Sequence, residues 1–186
     1  MHASLFLIII IVLAVLLVMW GIGVQRQLVS AEEICKNSLS QIGVQQNSRW
    51  DALTALLEMV KSYNEHEYNT LKDVVAMRKP ITGSSTVAEA NAQEEALGKL
   101  ASGLSVVVER YPELKANENY AKMMDSINTY ENNVRMSRMT YNDTVTKFNR
   151  MVRQFPDSIV AGLLHFGTRE YLAEPAGKTE MPSMKI

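Results

Sequence analysis

Leu5 to Val24 is an unbroken run of 20 residues with no charged and no amide side chain. At about 1.5 Å rise per residue, such a helix spans roughly 30 Å, the hydrocarbon thickness of a bilayer. A buried core helix is rarely so uniformly apolar. Trp20 lies near its downstream end, where an indole suits the headgroup level, and Arg26 is the first charge after it. The run therefore predicts a transmembrane anchor over residues 1–26, touching the lipid bilayer from Leu5 through Trp20 to Val24. A cleaved secretory signal competes, because Val29-Ser30-Ala31 offers small residues just before Glu32. Against it, Met1-His2-Ala3-Ser4 has no basic side chain, and the run exceeds the usual apolar core of about 7–15 residues. A single-pass, uncleaved anchor is the expectation. No Lys or Arg precedes the span, whereas Arg26 and Lys36 follow it, which leans toward a cytoplasmic C-terminal part.

Outside that run the chain is close to charge-balanced, with 19 basic against 20 acidic side chains. The balance leaves no basic excess for binding nucleic acid. Cys35 is the only cysteine, so no intramolecular disulfide can form.

No proline occurs from Gln27 to Lys79, and Leu53, Leu56, Leu57, Val60, Leu71, Val74 and Val75 recur at helical spacing. The pattern predicts an amphipathic helix over 27–79 that can continue the anchor. Pro80 and the turn residues to Ser85 end it, and Thr86 with Glu89 forms a capping box opening a helix over 87–110. Tyr120, Ile127, Val134, Tyr141, Phe148 and Phe155 then repeat every seven residues, predicting a helix over 118–155 with a coiled-coil-like seam. Glu131 and Arg138 occupy companion seam positions, a polar pair expected to fix register, with an ion site as the sharper alternative. After Pro156 a short helix is expected over 158–171, and 173–186, with two prolines, reads as a disordered tail. The fold class is thus all-α: an N-terminal transmembrane helix followed by an antiparallel bundle of long helices over 27–172.

Lengths add a constraint. A helix over 27–79 reaches roughly 80 Å and one over 87–110 only about 35 Å, so the second cannot cover the first. In an up-down-up arrangement Leu28, Ile34, Leu39 and Ile42 would lack a partner, which predicts self-association beside the membrane, or else a kink near Gly43. Ile159, Leu163, Leu164 and Phe166 either close the end of the bundle or form an interfacial or subunit contact.

Catalytic constellations are missing. His66-Glu67 starts like a zinc-protease motif, but Thr70 stands where the second histidine is required. Gly21-Ile22-Gly23 lacks the third glycine of a phosphate loop, and Cys35 has no histidine nearby. Glu94-Glu95 reads as part of a solvated helix face. Tyr141-Asn142 and Phe148-Asn149 repeat an aromatic–asparagine pair one heptad apart, placing amides beside the seam to bond across to a neighbouring helix.

The stretches Val44 to Asp51 and Val60 to Glu67, the block Tyr111-Pro112-Glu113-Leu114-Lys115-Ala116-Asn117-Glu118-Asn119-Tyr120, and Thr129 to Val134 with Arg138, Tyr141-Asn142-Asp143, Phe148-Asn149 and Phe155-Pro156 through Leu163 resemble the LemA family of bacterial membrane proteins. The resemblance implies an N-terminal transmembrane segment in the bacterial inner membrane and a bundle of long helices, with no established catalytic residue or cofactor. Gly43 departs from an Asp frequent in the family, Gln46-Asn47-Ser48 from a more basic stretch, and Thr54-Ala55 from a Pro-Asn pair. Together these readings predict a non-enzymatic, homo-oligomeric, membrane-anchored scaffold without metal or cofactor. The alternative is an accessory or regulatory subunit of a membrane enzyme or signalling complex.

Overall fold

In a computed structural model, which describes residues 2–173, the chain forms α1 (His2–Lys61), α2 (Glu65–Val75), α3 (Val87–Arg110), α4 (Pro112–Lys115), α5 (Glu118–Arg153) and α6 (Asp157–Leu163). The expected disordered tail falls outside the described residues except for Ala173. Two compact units are present: one joins the chain up to Cys35 with Asp143–Glu170, the other joins Lys36–Asn142 with the chain from Tyr171.

The expected 27–79 helix is two helices. α1 ends at Lys61, and Asn64, in extended backbone geometry, caps α2 by accepting from the His66 and Glu67 amides. Asparagine competes with the helical backbone for hydrogen bonds, so a chain without proline can still turn there. The Asn64 amide also donates to the Tyr111 hydroxyl, which ties this turn to the end of α3.

That turn changes the topology. The α2 helix runs back along α3, with Glu67 paired to Arg110 at 3.0 Å. The connection from Ala76 to Thr86 then continues along α1: Arg78 pairs with Asp51 at 2.7 Å, and the Ile81 backbone crosses Gly43. Consequently α3 starts beside Gln46 and runs parallel to α1, in place of the expected up-down-up order, and α5 returns antiparallel with Glu131 opposite Arg49. At Gly43 there is no kink. Its glycine serves a close approach, since a Cβ there would overlap the Ile81 carbonyl oxygen.

The core of the second unit gathers Trp50, Leu53, Leu56, Leu57 and Val60 of α1, Leu97, Leu100, Leu104, Val107 and Val108 of α3, Leu114 of α4 and Ile127 of α5. Leu71, Val74 and Val75 of α2 pack on it half-buried. Trp50 is fully buried, and its Nε1 donates to Gln93 Oε1 at 3.2 Å, so the indole keeps a hydrogen bond in an apolar setting.

In the first unit Val24, Leu28 and Cys35 of α1 are buried, as are Val145 and Phe148 of α5 and Val160 and Ala161 of α6. At 36 residues α5 is about 54 Å long against about 36 Å for α3. Its last turns lie along α1 within the first unit: Thr144, Lys147 and Met151 face Arg26 to Ile34 across a shallow groove. The stripe expected to drive self-association is accordingly corrected, because Leu28, Leu39 and Ile42 are buried within the chain and only Ile34 remains exposed.

The expected helix over 158–171 stops at Leu163. His165, at φ 59°, ends it: its amide donates to the Gly162 carbonyl and that of Phe166 to the Ala161 carbonyl, a left-handed C-cap. Residues 166–173 then lie outside any helix. Likewise α5 ends at Arg153, so Phe155, expected on the seam, is 76% exposed, while Ile127, Val134, Tyr141 and Phe148 are buried as the heptad requires.

Candidate functional site

The buried stripe of α1 steps through Ile42, Gln46, Arg49 and Leu53, so helical spacing alone carries an amide and a guanidinium into the second unit's interior. Arg49 bridges two helices: Nη1 donates to Glu94 Oε1 at 2.9 Å and Nη2 to Glu131 Oε2 at 3.2 Å. Gln46 Nε2 donates to the Ala90 carbonyl at 3.2 Å and to Glu94 Oε2 at 3.3 Å. Gln93 accepts from Trp50 and from the Lys79 amide and donates to the Met77 carbonyl, stitching the connection before α3 onto α1. Glu94, expected on a solvated face, is thus largely buried, whereas Glu95 is exposed and pairs with Lys99.

Arg138 is also buried, and Glu131 and Arg138 each find a partner on other elements. Arg138 Nη2 donates to Asn91 Oδ1 at 2.9 Å and to the Ala173 carbonyl. Burial pulls the Arg138 pKa down and the charge of Glu94 pushes it back, and a guanidinium so placed stays cationic. Three buried polar atoms in this layer, Gln46 Oε1, Arg49 Nε and Arg138 Nη1, lack a hydrogen-bond partner. The layer joins α1, α3 and α5 by charge-assisted bonds. A slip of any one helix would strand a buried charge, which is a physical basis for a fixed register.

The seam asparagines grip backbone outside any helix, where the sequence pointed to a neighbouring helix. Asn149 Nδ2 donates to the Arg169 carbonyl at 2.9 Å and its Oδ1 accepts the Arg169 amide at 2.8 Å. Asn142 treats Leu172 the same way, at 3.2 and 2.9 Å. Arg169 adds an ion pair with Glu32 at 2.9 Å and lies over the Phe148 ring. Sequence spacing located both asparagines, but nothing local marks 166–173 as their partner.

The remaining predicted residues are apolar and outward. Side chains from Leu5 to Met19 are exposed, Trp20 is half-buried and Val24 buried. Ile159, Leu163 and Leu164 are exposed on α6 and its C-cap, while Phe166 packs edge-on against Phe148 with ring centroids 6.4 Å apart. Among the described residues no three His, Cys, Asp or Glu side chains come together as a metal would need, and His66 engages only through its backbone.

An all-helical chain with a long, exposed apolar N-terminal helix and a charge-pinned interior defines the class of membrane-associated helical proteins. Residues 38–186 match the family model described as the LemA family, and the chain belongs to that family. The apolar run precedes the matched region. Two magnetosome proteins of Paramagnetospirillum magneticum (strain ATCC 700264 / AMB-1), MamQ 1 and MamQ 2, are each 33% identical over 83 residues. That segment is 44% of this chain and 30% of either relative's length.

Proposed function

We propose that this protein is a non-enzymatic scaffold of the bacterial inner membrane: Leu5 to Val24 crosses the bilayer once, and the helical part faces the cytoplasm. The observation that carries the reading is α1 itself. One unbroken helix of 60 residues contains both the exposed apolar run and, from Trp50 onward, a wall of the second unit's core. Membership of the LemA family and the partial likeness to two magnetosome proteins support a membrane setting.

Burial of Leu28, Leu39 and Ile42 removes the apolar stripe as a self-association surface, so assembly would use other faces. The mass of the intact protein in mild detergent tests the reading. A defined homo-oligomer supports the scaffold, co-purifying foreign subunits favour an accessory role, and a bare monomer at all concentrations refutes both. Resistance to alkaline extraction tests the anchor. Labelling of a new tail cysteine in a Cys35→Ala background by an impermeant reagent in intact cells would refute the cytoplasmic orientation.

A further inference from the structure

We propose that the turn after α5 and the outer face of α6 form a second, shallow membrane contact, seated among the headgroups of the bilayer that Leu5 to Val24 crosses. The proposal rests on the anchor reading and extends it. Phe155, Ile159 and Leu163 recur at four-residue intervals, and with Leu164 they are 76%, 51%, 74% and 47% exposed. The opposite face of α6, Val160 and Ala161, is buried. From Gln154 to Phe166 the only charged side chain at neutral pH is Asp157. Four large apolar side chains turned outward on so short a segment need an apolar or interfacial neighbour.

Its level along α1 identifies that neighbour. Side chains of α1 are exposed through Met19, and cover begins at Trp20, Gly21 and Gly23, half-buried, and Val24, buried. Asp143–Glu170 belongs to the same unit as this stretch of α1. The last turns of α5 are already engaged opposite Arg26 to Ile34, through Thr144, Lys147 and Met151. Antiparallel to α1, α5 heads toward the end of the apolar run, and the turn and α6 follow it in the chain, on the side where headgroups begin. Arg26, Lys147, Arg150 and Arg153 are exposed in the same unit, so lipid phosphates would meet cations beside the apolar foot. Continuity with the apolar run and these cations favour lipid over a second copy of the chain.

Depth-dependent fluorescence quenching tests this on the full-length protein in phosphatidylcholine–phosphatidylglycerol vesicles. In a Cys35→Ala background, Leu163→Cys or Leu13→Cys carries an environment-sensitive dye, and lipids bear a nitroxide near either end of the acyl chain. The dye at 163 should be quenched roughly twofold or more better by the nitroxide near the glycerol end, with the opposite preference at 13. Quenching at 163 by aqueous iodide alone would overturn the proposal while leaving the anchor intact. Shielding at 163 from both iodide and lipid nitroxides would also overturn it, since protein would then cover the foot. Loss of deep quenching at 13 would sink the anchor reading first.

Discussion

Replacing Arg49 with methionine keeps the length of the side chain and deletes its charge, so it isolates what the guanidinium contributes. Its bond to Glu94, whose side chain is 14% exposed, is charge-assisted and largely shielded, contributing about 1.5–3 kcal/mol. The bond to Glu131, whose side chain is 31% exposed, adds at most about 1 kcal/mol. Arg49→Met should therefore destabilise by about 3 kcal/mol, because it takes the counter-charge from the largely buried Glu94, which then rests on the neutral Gln46 amide with a second carboxylate, Glu131, beside the same gap. For a chain of this length that lowers the midpoint by about 10 °C. Thermal unfolding followed by circular dichroism in mild detergent reads it directly. The compensated variant, Arg49→Met with Glu94→Gln and Glu131→Gln, removes both carboxylate charges and should recover more than half of the loss. If Arg49→Met melted with the wild type, the charge layer would not be holding the helices. If the triple variant were no more stable than the single one, stranded charge would not be the cause.

Further consequences lie elsewhere in the chain. Gly43→Ala should destabilise by about 1–3 kcal/mol because two backbones collide at Ile81, whereas Gly98→Ala, whose Cβ meets nothing within 4 Å, should stabilise by up to about 1 kcal/mol; equal melting shifts would refute the close approach. Asn142→Ala leaves the Leu172 amide and carbonyl without partners, so hydrogen exchange at Leu172 should quicken about tenfold or more while Trp50 stays protected. Glu89 is held below the ordinary glutamate range, first by its bond to the Thr86 amide and then by the Thr86 hydroxyl. A carboxyl lowered in the folded state contributes stability above its unfolded pKa and loses it as the pH falls through the folded one. The melting difference between wild type and Glu89→Gln should accordingly shrink below about pH 4, and a difference that grew on acidification would contradict the cap.

Elements written in local periodicity were legible, and those written in long-range contacts were not. The long apolar N-terminal helix, the α3 capping box and the seam from Ile127 to Phe148 each follow from spacing within a few turns of helix. The α1–α2 break was missed because it rests on Asn64 finding two amides and the Tyr111 hydroxyl, the last of them 47 residues away. Reading that stretch as one helix also inverted α3, and the inversion left the Leu28–Ile42 stripe without a partner on paper. The polar layer shows the same limit. Glu131 and Arg138 stood out because they interrupt an apolar seam, whereas Arg49 and Glu94 did not, although Arg49 sits one helical step before Leu53 on the buried stripe. A polar residue in phase with a core stripe carries the same signal as one inside a heptad. Its weakness here is that Gln46 and Arg49 fill two successive positions of the stripe between Ile42 and Leu53, so the apolar phase is broken between them. The charge belongs to the core because Glu94 arrives from α3, and only the reversal at Asn64 brings α3 alongside.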